Sequence, residues 1–372
     1  AADHDIYDNI IHMLLAKTPD NKISLFLVPK SIVNEDGSLG ERNDYTINGL
    51  NHKMGCRGLS NCYWSLGDNS DGATGYLIGE EGKGLHAMFL MMNEMRIHVG
   101  LSGALCGKRG HLESLQYAME RKQGRNPKTK EKETIVNYPD VKRMILTQKV
   151  FSEGALALCL LASSLADSAK TSDDDKHLLD VLIPIVKSWP SEFCLEANKW
   201  AIQVLGGYGY TSDFPLAQVY RDNRLNMIHE GTHGIQSLDL LGRKVAGPGF
   251  PILIDRMSKS IEKALQSGDD ETIALAAPVK SAVERLVDVT KKLGGVSKAG
   301  DVQLALANSH DYLNMAGHTV IGWCWLEMAM AAKSSSSPDS AFNQGKIKAA
   351  KFFMAHELHK TEHQAWLLNS LD

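Results

Sequence analysis

Gln203-Val-Leu-Gly206-Gly207-Tyr208-Gly209-Tyr210, then Tyr220-Arg221-Asp222, then Ile228-His229-Glu230-Gly231-Thr232, is the stretch whose reading decides the fold. Three glycines crowd a turn just after a helical segment, where one would stop the helix. Gln203 lies one turn upstream. This layout suits a diphosphate lying against bare backbone amides. No strand precedes the turn and the GxGxxG spacing is absent, so it is not a dinucleotide-binding βαβ fingerprint. A lone carboxylate in a loop is ordinarily just solvated. Glu230 is set apart by its flanks. Gly231 lets backbone approach a flat substrate, and a carboxylate held there can act as base on the weakly acidic C–H beside a thioester.

Upstream of this stretch the pattern is helical. Leu85, Met88, Phe89, Met92, Met95 and Val99 recur at steps of three and four, which predicts a helix from 84 to about 121. Gly100, Gly103, Gly107 and Gly110 fall along it. Each costs roughly 1 kcal/mol against Ala, so another helix or a ligand must pack very close. Tyr138-Pro139-Asp140 predicts the next helix start, running to about 170. A solvated loop follows at 171–175. A third helix is expected over 176–205, kinked or broken at Pro184 and Trp189-Pro190.

The two ends of the chain differ from this middle. Residues 1–80 read as strands: Ile10-Ile-His-Met-Leu-Leu-Ala16 and Ile23-Ser-Leu-Phe-Leu-Val-Pro29 are short apolar runs bounded by turn residues. A turn-rich segment at 34–43 precedes further short runs at 45–48, 61–66 and 75–78, as in the later part of a small sheet or barrel. Ala246-Gly-Pro-Gly-Phe-Pro251 reads as a linker. Helical segments beyond it (252–266, 270–293, 301–333 and 342–370) read as an appendage. The expected fold is α+β, mostly α: a partial β-domain at 1–80, a helical-bundle domain at 81–245 and a helical extension at 252–372.

Composition narrows the function. Of 372 residues, 43% are hydrophobic and 23% charged, and the net charge is −4. These values are ordinary for a globular chain and give no argument for a nucleic-acid or membrane partner. No run approaches the ~20 apolar residues of a membrane span, and no signal-peptide pattern precedes the first strand. The six cysteines include no CxxC pair and read as reduced thiols. His356, His359 and His363 could share a helix face, but position 360 is Lys where the metalloprotease pattern needs His, so no metal is expected. Gly79-Glu-Glu-Gly82-Lys-Gly84 reads as a strand-to-helix turn. Arg121-Lys122-Gln123-Gly124-Arg125 closes a helix, either complementing its dipole or offering an arginine fork to a phosphate.

Taken together, these stretches resemble the acyl-CoA dehydrogenase family. The motifs are Gly79-Glu-Glu-Gly-Lys-Gly84, Asn93-Glu-Met-Arg96, Glu120-Arg-Lys-Gln-Gly124, Gln203-Val-Leu-Gly-Gly-Tyr-Gly-Tyr210, Tyr220-Arg-Asp222 and His229-Glu-Gly-Thr232, with Asn51-His-Lys-Met-Gly55 in the strand region. The run from Glu230 to Lys244 and the helices after it are similar to a long subfamily that includes the 3-methylthiopropionyl-CoA dehydrogenases. The resemblance implies FAD as cofactor, an acyl-CoA thioester as substrate and a trans-2-enoyl-CoA as product. Glu230 matches the base that takes the α-proton while hydride leaves the β-carbon for flavin N5. Arg121, Gln203, Gly206, Gly207 and Thr232 match cofactor contacts, that of Arg121 across a dimer interface. Asn93, Arg96 and Gly231 match the substrate pocket. An electron-transferring flavoprotein is the implied acceptor, a dimer or tetramer the implied assembly, and the cytoplasm, or the mitochondrial matrix in a eukaryote, the implied location. His229 stands where the family usually has an aromatic residue. The family's N-terminal helical domain and early strands, which touch the flavin ring, have no counterpart in these residues. That leaves two alternatives: a non-catalytic or split-enzyme chain completed by a partner, and an acyl-CoA oxidase.

Overall fold

The computed structural model describes residues 3–4, 6–69 and 71–371. The architecture is α+β and mostly α, in two compact units, Ala1–Met95 and Arg96–Asp372.

The first unit holds β1 (Ile11–Lys17), β2 (Ile23–Pro29), β3 (Ser31–Val33), β4 (Leu39–Arg42), β5 (Tyr45–Leu50), β6 (Cys62–Leu66) and β7 (Tyr76–Ile78). β1, β2 and β7 form an antiparallel sheet in that order, while β3–β4 and β5–β6 form separate two-stranded pairs. The β1–β2 turn closes because Asn21 adopts a left-handed φ of 61° and donates its N–H to the Thr18 carbonyl at 2.8 Å. The segment at 34–43 is more than turn: Gly37, at φ 81°, reverses the chain and Leu39–Arg42 returns as β4. Leu25, Val28, Tyr45 and Cys62 are buried, and the rings of His12, Tyr45 and Trp64 pack against one another as a triad. The turn after β7 leads into α1 (Gly84–Glu120). Glycine is required at its start, since a Cβ on Gly84 would lie 2.4 Å from the Ser24 carbonyl carbon.

α1 continues into the second unit. There follow a hairpin of β8 (Lys122–Arg125) and β9 (Lys132–Thr134), then α2 (Pro139–Ser168), α3 (Asp173–Leu205), α4 (Leu216–Arg224), α5 (His233–Gly242), α6 (Gly249–Leu265), α7 (Asp270–Lys298), α8 (Val302–Leu306), α9 (Ser309–Lys333), α10 (Ala341–His356) and α11 (Lys360–Ser370). The glycines of α1 do bring a helix close. Cβ atoms built on Gly100, Gly103, Gly107 and Gly110 would meet Val186, Pro190, Cys194 and Asn198, a four-residue stripe along α3, at 2.1 to 3.2 Å.

α3 runs as one helix through Pro184 and Pro190, without the break that was one of the two expectations there, and the same contact bears on Pro190. Pro190 has no N–H for the Val186 carbonyl. This carbonyl lies at the bare Cα of Gly100, where only a glycine admits it. α3 also starts earlier than expected, because Ser172 accepts a capping hydrogen bond from the Asp175 N–H at 3.2 Å.

The helical extension is no appendage. One core runs from Val150 and Phe151 on α2 through Trp189 on α3 to Tyr312 and Trp325 on α9 and Phe353 on α10. The expected linker is a tight junction: a Cβ on Gly249 would sit 2.1 Å from the His177 carbonyl oxygen, so α6 starts jammed against α3. α7 passes through Gly294 and Gly295 without a break, while 301–333 and 342–370 each divide into two helices. α2 is long and apolar enough to cross a membrane, which the composition did not suggest, yet 56% of that apolar window is buried inside the chain. His359 pairs with Glu362 at 2.9 Å and His363 stacks on Trp366. No group of three or more His, Cys, Asp or Glu gathers among the described residues.

Glu153 ties the extension to the bundle. Its carboxylate, with a side chain 8% exposed, accepts Lys108 of α1 at 2.8 Å, Lys149 of α2 at 2.7 Å and Lys346 of α10 at 2.9 Å. Burial alone would raise its pKa, but the three ammonium groups pull it down to about 2. The folded value lies below the unfolded one, so this stabilisation is present above the ordinary carboxylate range and is lost as pH falls toward 2. The shift corresponds to about 3 kcal/mol. Denaturant unfolding from pH 6 to pH 2 should show that loss in the wild-type chain, and Glu153→Gln should lack this component of the slope.

Candidate active site and cofactor pocket

Two clusters form in the second unit, each at the end of a helix. The first lies where α3 stops. Gly206 caps α3 with φ 59° and ψ −132°, a backbone only glycine adopts readily. Gly209 is needed for packing, since its Cβ would lie 2.3 Å from the Ile202 carbonyl oxygen. Gly207 has neither reason: its φ is unremarkable and a Cβ there would meet nothing within 4 Å. Its bare backbone faces a cavity of about 710 Å³ that Arg121, Gln203 and Gly206 also line, with Tyr138 across it. Tyr138 fixes the opposite wall by donating its hydroxyl to the Gln123 carbonyl at 2.6 Å. No carboxylate lines the cavity, and the Arg121 guanidinium has no hydrogen-bond or ion-pair partner among the described residues. Four of the expected cofactor residues thus meet in one basic, glycine-walled pocket. It would accept an anion with several oxygens.

The second cluster lies before α5. Glu230 sits in left-handed backbone at φ 54°, followed by Gly231 at φ 95°. A non-glycine residue there is strained by about 1–3 kcal/mol and persists only where its surroundings hold it. Here the Glu230 carbonyl is clamped twice, accepting from Arg96 Nε at 3.3 Å and from Gln236 Nε2 at 3.2 Å. Position 231 favours glycine because of its φ of 95°, and a Cβ there would also press on that Gln236 nitrogen at 2.5 Å. The Glu230 N–H makes no hydrogen bond among the described residues. Thr232 precedes α5, and its side chain makes no capping bond. Asn93 lies one turn before Arg96 on α1, in the first compact unit.

Two buried cations lie near Glu230, and the buried carboxylate of Asp239 lies near the first of them, Arg96. Arg96 is 6% exposed. Lys187, fully buried on α3, finds no hydrogen-bond partner for its Nζ among the described residues. Burial brings its pKa down to about 8; Arg96 adds to the fall and Glu230 opposes it. The His229 ring nitrogen Nε2 is 3.1 Å from Asn226 Oδ1. Burial and then the Lys187 charge lower its pKa, which favours the neutral ring. Asn226 continues a buried amide ladder through Asn223 at 3.0 Å to Asn198 at 2.7 Å, which anchors on the Cys106 carbonyl at 2.9 Å.

Residues 82–245 match the family model "Acyl-CoA dehydrogenase, C-terminal domain", and residues 253–372 match "Acetyl-CoA dehydrogenase C-terminal like". The 3-methylmercaptopropionyl-CoA dehydrogenase of Ruegeria pomeroyi is 32% identical over 371 residues, covering 94% of this chain and 62% of the relative. The chain belongs to the acyl-CoA dehydrogenase family. The broad-specificity linear acyl-CoA dehydrogenase FadE5 of Mycobacterium tuberculosis is 29% identical, over 99% of this chain and 65% of its own length. Among solved structures, an acyl-CoA dehydrogenase complexed with FAD from Bacillus anthracis shares the fold at TM-score 0.76 with 20% identity, over 97% of this chain and 61% of that one. The chain spans about three fifths of the length of the curated relatives it matches.

Motif reading missed Lys187, Gln236 and the asparagine ladder. The signal for Lys187 was a single cation inside Leu182-Ile-Pro-Ile-Val-Lys187-Ser-Trp-Pro190, an otherwise apolar run that the fold buries. Because its folded pKa lies below the unfolded one, it costs stability at neutral pH and the cost fades as pH rises from 8 toward 10.5. Lys187→Met should raise unfolding free energy by about 1–3 kcal/mol at pH 7. Denaturation repeated at pH 10 should show most of that gain gone.

Proposed function

We propose that this chain supplies the catalytic base, the thioester site and part of the cofactor site of an FAD-dependent acyl-CoA dehydrogenase, which converts an acyl-CoA to its trans-2-enoyl-CoA. The observation that carries the reading is Glu230: a strained carboxylate residue, clamped by its own carbonyl, with a free N–H and two buried cations beside it. In this reading the Glu230 carboxylate takes the substrate α-proton, with Arg96 and Lys187 as the buried cations nearest to it. The Glu230 N–H would hydrogen-bond the thioester oxygen as charge builds there, in the manner of an oxyanion hole. Gly231 leaves room for a planar group against the chain, and Asn93 is a further substrate contact in this reading, as the family resemblance implies.

The glycine-walled pocket fits the diphosphate of FAD, with Arg121, Gln203, Gly206 and Gly207 as its holders and Thr232 as a further contact. FAD, when bound, supplies the hydride acceptor. The assembly would be a dimer or tetramer in which Arg121 reaches a neighbouring subunit's cofactor. An exposed apolar stripe on α1, at Leu105, Leu112 and Met119, supports a subunit interface. The acceptor would be an electron-transferring flavoprotein. The cysteines Cys62, Cys159, Cys194 and Cys324, all buried and outside any disulfide, support a reducing compartment, cytoplasmic or mitochondrial.

The test is equilibrium FAD binding by the purified chain, followed by supply of acyl-CoA with either electron-transferring flavoprotein or air. Retained FAD and electron flow to the flavoprotein support the proposal. Stoichiometric peroxide under air would identify an oxidase. FAD retained only after a second polypeptide is added would identify one chain of a split enzyme.

A further inference from the structure

The extension contains a second cavity, of about 700 Å³, bounded by α5, α6, α7 and α8. Its walls are mostly apolar, with Val245 and Phe250 on one side and Leu293 and Leu306 on the other. The last turns of α7 contribute Lys291, Gly294, Gly295 and Lys298, spaced i, i+3, i+4 and i+7 on one helix face.

The two glycines have no structural cause. They lie inside a helix with ordinary φ, and a Cβ on either would meet nothing within 4 Å. Alanine would be the better helix former at both positions. What they do is leave backbone bare along the cavity wall. The lysines at each end make no ion pair or hydrogen bond among the described residues, and no carboxylate lines the cavity. A helix C-terminus favours a lysine in its last turn, which accounts for Lys298 but not for Lys291 or the glycines. An apolar cavity of this size with cationic groups at one wall is complementary to a molecule with an alkyl body and an anionic head.

We propose that this cavity is a binding site for an aliphatic carboxylate. The alkyl chain lies between Phe250, Leu293 and Leu306 and over the Gly294–Gly295 backbone, and the carboxylate meets Lys291 and Lys298. The site is separate from Glu230 and from the Arg121 pocket, and binding there requires no turnover.

Calorimetric titration of the full chain with dodecanoate tests it. Saturable binding is expected, weakening on the order of a hundredfold from dodecanoate to octanoate if the lost methylenes are buried. Dodecanol, which lacks the anion, should bind more weakly. The decisive variant is Gly294→Leu with Gly295→Leu, which fills the cavity from a helix that leucine favours. It should keep or raise the Tm while dodecanoate binding is lost. Lys291→Gln with Lys298→Gln should abolish the preference for dodecanoate over dodecanol. Failure of dodecanoate to saturate would overturn the proposal. So would undiminished binding by the leucine variant, which would place the ligand elsewhere in the chain. Because these readouts are binding and Tm, they stand whether or not the chain oxidises an acyl-CoA.

Discussion

Glu230→Gln should slow α-proton exchange from acyl-CoA by about 10²- to 10⁴-fold and leave FAD affinity unchanged. The size follows from removing a positioned general base. The selectivity follows from geometry. Glutamine keeps the shape of the side chain, and the contacts that hold the turn run to the Glu230 carbonyl from Arg96 and Gln236, so the backbone at φ 54° stays in place. The pocket lined by Arg121 and Gly207 does not include position 230. Exchange is followed by uptake of deuterium at the thioester α-carbon, and affinity by titration of the chain with FAD. Exchange at the wild-type rate would remove Glu230 from the mechanism. A parallel loss of FAD binding would mean that the substitution had disturbed the turn and not only the base.

The second large effect separates two glycines two residues apart. Gly207→Val should leave the Tm close to wild type, since a Cβ there meets no atom within 4 Å. It should weaken FAD binding by about 10²- to 10³-fold, because the side chain would fill the space where a diphosphate reaches the backbone, and charge-assisted hydrogen bonds are worth about 1.5–3 kcal/mol each. Gly209→Ala should behave in the opposite way. Its Cβ would press on the Ile202 carbonyl at 2.3 Å, so overpacking should cost about 1–3 kcal/mol of stability. Thermal melts and FAD titrations on the two variants should cross: one variant stable and poor at binding, the other destabilised. Equal loss of stability in both would remove the distinction between a ligand-facing and a packing glycine.

The motif residues were legible in the sequence because each is a local departure from what its element needs. Three glycines where one would end a helix, and a glycine after a carboxylate, can be noticed without knowing any neighbour. The glycines of α1 were legible for the same reason, and their partner proved to be α3. Lys187 was not legible in this way. Its importance comes from Arg96 and Glu230, which the fold brings near it from α1 and from the turn before α5. How α3 accommodates Pro190 was equally hidden, since the Val186 carbonyl that Pro190 leaves without a donor lies against Gly100. The junction at 246–251 does separate the two family-model matches, but its tightness was hidden: Gly249 is glycine because the His177 carbonyl lies against it.

Whether Glu230 and the glycine-walled pocket belong to one flavin-dependent dehydrogenation is decided by anaerobic titration of the FAD-loaded chain with a saturated acyl-CoA. The flavin's visible absorbance should be lost, with enoyl-CoA formed in equal amount, and Glu230→Gln should show no such loss. Bound FAD that keeps its absorbance at saturating acyl-CoA in the wild-type chain would contradict the assignment.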